Sequence, residues 1–228
     1  MAGKMQIKRP DSLSKIAEAE IRRNIVQGVF RLGESLQEAK LSTTMGISKT
    51  PIREALAALN LQGLVQIVPR RGAFVFTLSH EDVVQLCKYR LILETAAMDQ
   101  ALEENPSALL DELADLVTEM TEARKADDFE RYLELDAAFH DAFFRHCGNS
   151  YLRDGYQKVS DIVRTIRTYL SKRPDRTAKS LKEHDAITAH LREGKVKAAK
   201  NILSRQITRG ERSYSDLAGN ELPSEKKR

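Results

Sequence analysis

The stretch from Gly46 to Leu56 reads GISKTPIREAL, and it decides how the first third of the chain folds. Gly46 stops a short helical pattern running from about Gln37 to Met45. The next helix begins at Ser48 or Thr50, with Pro51 in its first turn, where a missing N–H does no harm. Within it Ile52, Ala55, Leu56 and Leu59 fall on one face, and Lys49, Thr50 and Arg53 point the other way. Upstream, Leu13, Ile16, Ala17, Ile21 and Ile25 recur at helical spacing behind a capping Ser12, and Gly28 ends the pattern. Downstream of Gly63 come LVQIV, PRRG and AFVF, two β-prone runs joined by a turn with Arg70 and Arg71 at its tip. The expectation is a hairpin packed beside three helices.

Charge is unevenly spread along this sequence. Residues 1–78 hold 12 Lys and Arg against 6 Asp and Glu, whereas residues 79–228 hold 25 against 27. The first segment is therefore cationic and suited to a polyanion, although a basic helix face is often only a solvated one. Order along the chain favours DNA. Two helices joined by a tight turn can put the start of the second into a major groove, where Arg grips guanine bidentately and the helix dipole meets phosphate. A basic hairpin tip can enter the neighbouring minor groove. Ser48, Lys49, Thr50 and Arg53, with Arg70, Arg71 and Gly72 at the tip, are the candidate DNA contacts, and double-stranded operator DNA is the expected partner.

From Ser79 onward the strand signals vanish. Breaks at Asn105-Pro106, Asp127-Asp128, Gly148-Asn149, Arg173-Pro174-Asp175 and Gly194 divide the remainder into six segments of ordinary helix length, an all-helical bundle. The closing PSEKKR, residues 223–228, reads as a frayed end. Two domains are expected, 1–78 for DNA and 79–228 for effector binding and dimerisation. Cys87 and Cys147 form no C-x-x-C pair and read as small buried apolar residues. No segment approaches the run of about 18 apolar residues that a membrane span needs, so a soluble, cytoplasmic protein with no membrane partner is expected.

The helical region holds a puzzle. Asp136 and His140, four residues apart, fall at the centre of a stripe made by Phe129, Tyr132, Leu133, Phe139, Phe143 and Cys147. His184 lies among Leu181, Ile187, Thr188 and Leu191, with His190 on the opposite side. Gln206 sits among Ala199, Ile202, Leu203 and Ile207, and Arg90 and Glu94 interrupt a stripe of Val83, Leu86, Leu93 and Ala97. A buried polar group without a partner costs about 1–3 kcal/mol, so these groups need each other or a guest. In the plain account Arg90 pairs with Glu94, and Asp136 with one of the histidines. In the functional account Asp136, His140 and His184 are metal ligands, because carboxylate and imidazole suit Zn, Ni or Mn.

The stretch IRRNIVQGVFRLGESLQEAKLSTTMGISKTPIREALAALNLQGLVQIVPRRGAFV resembles the winged helix-turn-helix of the GntR family of bacterial transcription regulators, through Gly33-Glu34-Ser35-Leu36, the SKTPIREAL block, Gly63-Leu64 and Arg71-Gly72. Leu32 stands where the family usually has Pro, and Lys49 where it usually has Arg. Lys49 keeps the charge but loses the bidentate fork, which shifts its role from base toward phosphate. The blocks EDVVQLCKYRLILETAAMDQAL, LDAAFHDAFFRHCGNSYL and LKEHDAITAHL are similar to the helical FCD ligand-binding domain of the FadR-like branch. The resemblance implies a mainly α protein: an N-terminal winged helix-turn-helix and a C-terminal all-α six-helix bundle of FCD type. It also implies a homodimeric repressor and an effector of the small organic-acid class. It implies a divalent metal on Asp136, His140 and His184, Zn before Ni or Mn, and an Arg90 facing the effector. The family's fourth ligand is a histidine 22 residues after His184; here that position is Gln206. Either three ligands and effector oxygens hold the ion, or the pocket is polar and metal-free with Gln206 against the effector. A metal-dependent hydrolytic enzyme using Asp136, His140 and His184 is the alternative reading; no nucleophile motif accompanies it.

Overall fold

The computed structural model describes residues 12–171 and 174–220. Arg173, in the expected break before Pro174, and the PSEKKR tail lie outside the described residues. The chain divides into two compact units, the first ending at Phe76 and the second running on from Thr77, with Val26–Gly28 grouped with the second. Among the described residues there are nine helices and a small sheet, and no helix is long and apolar enough to cross a membrane.

In the first unit α1 (Leu13–Val26), α2 (Glu38–Met45) and α3 (Lys49–Leu61) enclose a core of Ile21, Ile25, Leu41, Ile52, Leu56 and Leu59. The turn between α2 and α3 is made by Gly46 at φ +66°, a left-handed conformation that an L side chain strains to adopt. Ile47 N–H reaches back to the Ser42 carbonyl at 3.2 Å, closing α2 in a Schellman pattern. This short closure releases the chain directly into α3. Its buried face is the expected Ile52, Ala55, Leu56 and Leu59.

The hairpin is β2 (Val65–Val68) antiparallel to β3 (Gly72–Val75), with Val65 opposite Val75 and Val68 opposite Gly72. Sequence reading missed a third strand, β1 (Ser35–Leu36), which pairs antiparallel with the other edge of β3, giving the order β1-β3-β2. Two residues carry no period-2 pattern, so only pairing with β3 defines that strand. At the hairpin tip Arg71 N–H bonds the Val68 carbonyl at 3.0 Å, and Arg70 sits at φ +63° after Pro69. That is the arrangement of a type II turn, in which Gly or Asn ordinarily takes the position of Arg70.

The second unit is a bundle of six helices, as the sequence implied: α4 (His80–Glu104), α5 (Pro106–Lys125), α6 (Phe129–His146), α7 (Ser150–Leu170), α8 (Pro174–Arg192) and α9 (Val196–Asn220). A capping box fixes its entry: Ser79 Oγ accepts from Asp82 N–H at 3.1 Å while Asp82 Oδ2 accepts from Ser79 N–H at 3.1 Å. The core is built on α6, which packs against α4 and α5: Tyr132, Phe139 and Phe143 are buried on α6, Met98 on α4, and Leu109 and Met120 on α5. Phe129, expected on the inner stripe, is 40% exposed because it opens the first turn of α6.

The left-handed Arg70 generates a stability prediction. A non-glycine residue costs roughly 1–2 kcal/mol there, partly offset by the extra freedom glycine gives the unfolded chain. Arg70→Gly should therefore raise the unfolding free energy of the first unit by about 0.5–1 kcal/mol in a denaturant titration, and an equal loss would contradict the strained turn.

Candidate functional site

The start of α3 is an exposed cationic ledge. Ser48, Lys49, Thr50 and Arg53 are all exposed, and Ser48 caps the helix by backbone geometry only, its hydroxyl making no capping bond. The first N–H groups of α3 thus have no side-chain acceptor, the arrangement that receives phosphate. One contact was not foreseen from sequence: Arg53 Nε donates to Glu38 Oε2 of α2 at 2.6 Å. Glu38 engages one edge of the guanidinium; its two Nη groups remain for another acceptor. At the hairpin tip Arg70, Arg71 and Gly72 are exposed, and the Arg71 guanidinium lies 5.7 Å from the ring centroid of Phe74. Cation–π contact of this kind steadies the side chain on the hairpin.

Inside the second unit, α4, α6, α7, α8 and α9 each send a polar side chain to one buried cluster. Glu94 of α4 is fully buried. Its Oε1 accepts from Arg90 Nε at 2.9 Å, and its Oε2 receives His140 Nδ1 of α6 at 2.7 Å. Burial drives the Glu94 carboxyl toward its neutral form, but the Arg90 guanidinium and the His140 ring outweigh it and hold the group well below the usual carboxylate range. Glu94 is therefore a carboxylate, and His140 carries its proton on Nδ1 and turns a bare Nε2 inward.

Asp136, one turn before His140, is bonded otherwise than expected. Arg167 Nη1 of α7 reaches its Oδ2 at 3.2 Å and Ser180 Oγ of α8 donates to its Oδ1 at 3.0 Å, while the nearest histidine nitrogen, His184 Nε2, is 3.8 Å away. Burial raises the Asp136 carboxyl, and the Arg167 charge, with the His184 and His140 rings, lowers it further than burial raises it. A permanent guanidinium serves a buried carboxylate better than an imidazole that burial keeps neutral. Arg167 and Ser180 were both missed from sequence. The signal was available: Arg167 interrupts the stripe of Val163 and Leu170, and Ser180 lies one turn before His184 on the same side of its helix.

Asp136, His140 and His184 come together with one ligand atom each, all within 4.8 Å of one another. Arg90 and Gln206 line the same cavity of about 90 Å³ as Asp136 and His140, together with Arg167 and Arg176. Burial pushes the His184 ring down from 6.5 to about 3, with the Asp136 carboxylate opposing. His140 is lowered too, chiefly by burial and then by Arg167. Both rings are neutral at pH 7. Gln206 Nε2 donates to Ser180 Oγ at 3.2 Å and lies 3.1 Å from His184 Nε2.

The cluster fits a divalent metal. With Nδ1 of His140 committed to Glu94, its Nε2 lies 3.3 Å from His184 Nε2, so the two inward ring nitrogens meet face to face. Two nitrogens held about 2.0–2.1 Å from one ion at the tetrahedral angle lie about 3.3–3.4 Å apart. The Glu94–His140 bond is the carboxylate support that metal-bound imidazoles ordinarily have. His184 Nδ1 and Gln206 Oε1 are buried and without a hydrogen-bond partner among the described residues, so the ion-free network is under-satisfied.

A histidine whose folded pKa lies below its unfolded value loses stability as pH falls, because the unfolded chain takes up a proton the fold refuses. For His184 the window runs from about 6.5 down toward 3. After treatment with a chelator, the melting temperature should drop between pH 7 and pH 5 in thermal unfolding followed by circular dichroism. His184→Asn, neutral throughout, should show a flatter profile.

Residues 13–75 match the gntR family of bacterial regulatory proteins, and residues 85–209 match the FCD domain. The chain is 28% identical to the HTH-type transcriptional regulator YdhC of Bacillus subtilis, over 79% of this chain and 81% of that protein. It is 29% identical to the gluconate operon transcriptional repressor of Bacillus licheniformis, over 58% of this chain and 54% of that protein. A GntR regulator from Rhodococcus sp. RHA1 superposes with a TM-score of 0.77 at 22% identity, covering 90% of this chain and 98% of that one, a likeness of fold. The chain is thus a DNA-binding transcription regulator of the GntR family, a winged helix-turn-helix joined to an FCD helical domain.

Proposed function

We propose that this regulator is a homodimeric repressor released from its operator by a small anionic effector held in the FCD cavity beside a divalent metal. The cavity's charge carries this reading. Arg90, Arg167, Arg176 and Arg209 line it. Against them stand Asp136 in the wall, Glu94 on Arg90 and Glu183 on Arg209. Arg90, Arg167 and Arg209 each face one of these carboxylates, and with both histidines neutral a divalent ion would add two positive charges. A carboxylate or phosphate guest relieves that excess, with Arg90 and Gln206 as its contacts. The cavity of about 90 Å³ suits a short organic acid.

Asp136, His140 and His184 would hold the ion, which supplies a Lewis-acidic centre for effector oxygens. The protein's own part is to keep those ligands fixed: Glu94 sets the His140 tautomer, and Arg167 and Ser180 orient Asp136. Ser48, Lys49, Thr50 and Arg53 would read the major groove, and Arg70, Arg71 and Gly72 would follow the minor groove. Homodimerisation draws support from exposed apolar side chains on α4 and α7. Ile92 is 66% and Tyr151 88% exposed, and Tyr89 Oη ties the two helices together at the Gly155 carbonyl, 3.1 Å away. A two-fold dimer would set two α3 helices on a palindromic operator. Coupling of about 1–3 kcal/mol between effector and operator would be enough to switch it. Action in the cytoplasm follows from that role. The hydrolytic alternative draws no support from the relatives, which are transcription regulators.

Operator selected from a random duplex pool provides the test, read by fluorescence anisotropy across a salt series. Arg53→Ala should cost about 1–3 kcal/mol against the selected site and leave binding to random duplex nearly unchanged. The wild type should weaken steeply as salt rises. An Arg53→Ala protein with undiminished selectivity, or a flat salt response, would overturn the groove assignment.

A further inference from the structure

Gln206 is the group in the FCD cluster whose chemistry fits least well with its surroundings. It spends both amide hydrogens inward, one on Ser180 Oγ at 3.2 Å and one toward His184 Nε2 at 3.1 Å. Its carbonyl oxygen is buried without a donor. Ser180 in turn donates to Asp136 Oδ1 at 3.0 Å. The amide therefore lies against the His184 Nε2 that faces His140, and one hydrogen bond away from Asp136 through Ser180.

An amide NH₂ cannot meet a cation. Amide oxygen and nitrogen occupy nearly the same space, however, and the terminal torsion of glutamine is broad and roughly two-fold, so the group can turn end for end in place. In the present orientation Oε1 has no partner; in the turned one the NH₂ takes over that unpartnered place. Turning the amide gives up its bonds to Ser180 and His184, a cost that an ion held by the turned oxygen offsets.

Resting on the reading of Asp136, His140 and His184 as ion ligands, we propose that Gln206 is the fourth ligand and the residue that sets metal selectivity. Turning its carbonyl oxygen to the ion gives the site two imidazole nitrogens and two oxygens. Carbonyl and carboxylate oxygens suit Mn²⁺ better than imidazole does, whereas a third imidazole favours Zn²⁺ and Ni²⁺. The preference for Zn²⁺ over Mn²⁺ is accordingly compressed in this chain, and ions that favour oxygen ligands compete for the site.

Calorimetric titration of the chelator-treated full chain with Mn²⁺ and with Zn²⁺ tests this, each variant being checked for native circular dichroism. Gln206→His should tighten Zn²⁺ about tenfold or more while changing Mn²⁺ by less than about threefold. Gln206→Glu, which keeps an oxygen donor and adds charge, should tighten Mn²⁺. Gln206→Leu should weaken both ions by about tenfold or more. If Gln206→Leu binds both ions like the wild type while Asp136→Asn loses them, the site stands and Gln206 is not a ligand. If the wild type itself binds neither ion, the metal reading falls and takes this assignment with it.

Discussion

A carboxylate with no access to solvent governs the helical domain. Glu94 is charged at the centre of the bundle, and a buried charge is tolerable only when fully hydrogen-bonded and paired. Arg90, one turn earlier on α4, and His140, on the facing helix α6, supply that pairing. The requirement reaches further than α4. It fixes the ring plane and tautomer of His140, which decides that Nε2 faces inward, toward His184. The pocket chemistry is thus downstream of an electrostatic debt on another helix.

The DNA-binding domain depends on backbone geometry instead. Gly46 in the left-handed region and the reach of Ile47 N–H to Ser42 end α2 abruptly enough for α3 to begin within three residues. The outer residues of α3 are then exposed because its inner face is fully committed to Ile52, Leu56 and Leu59. Glu38 adds a side-chain constraint, engaging Arg53 from the preceding helix. Arg70 shows the opposite economy: a bulky cation occupies a turn position better suited to glycine, and local strain of that kind concentrates where function is served.

Residues 80–220 also show how far helical periodicity reaches. It assigned Asp136, His140, His184, Arg90, Glu94 and Gln206 to inward faces from spacing alone, because a polar side chain amid an apolar stripe is visible without coordinates. It did not reveal who bonds whom. The expected Asp136–histidine pair is an Asp136–Arg167 and Asp136–Ser180 arrangement, and Glu94 serves two partners rather than one. Phe129 was misjudged because a stripe drawn on a wheel does not show where the helix begins, and Phe129 is its first residue while Tyr132, three on, is buried. The strand at Ser35–Leu36 was invisible because two residues hold no period.

By itself the sequence determined the two-part architecture, the order of helices and hairpin, the cationic start of α3 and the inward polar residues, since each is a local matter of spacing, turn chemistry or charge. Tertiary structure alone decided the convergence of five helices on one cluster, the engagement of Arg53 by Glu38, the edge pairing of β1 and the orientation of Gln206. Those depend on contacts between segments far apart in the chain, and no periodicity within one segment encodes the distance to another.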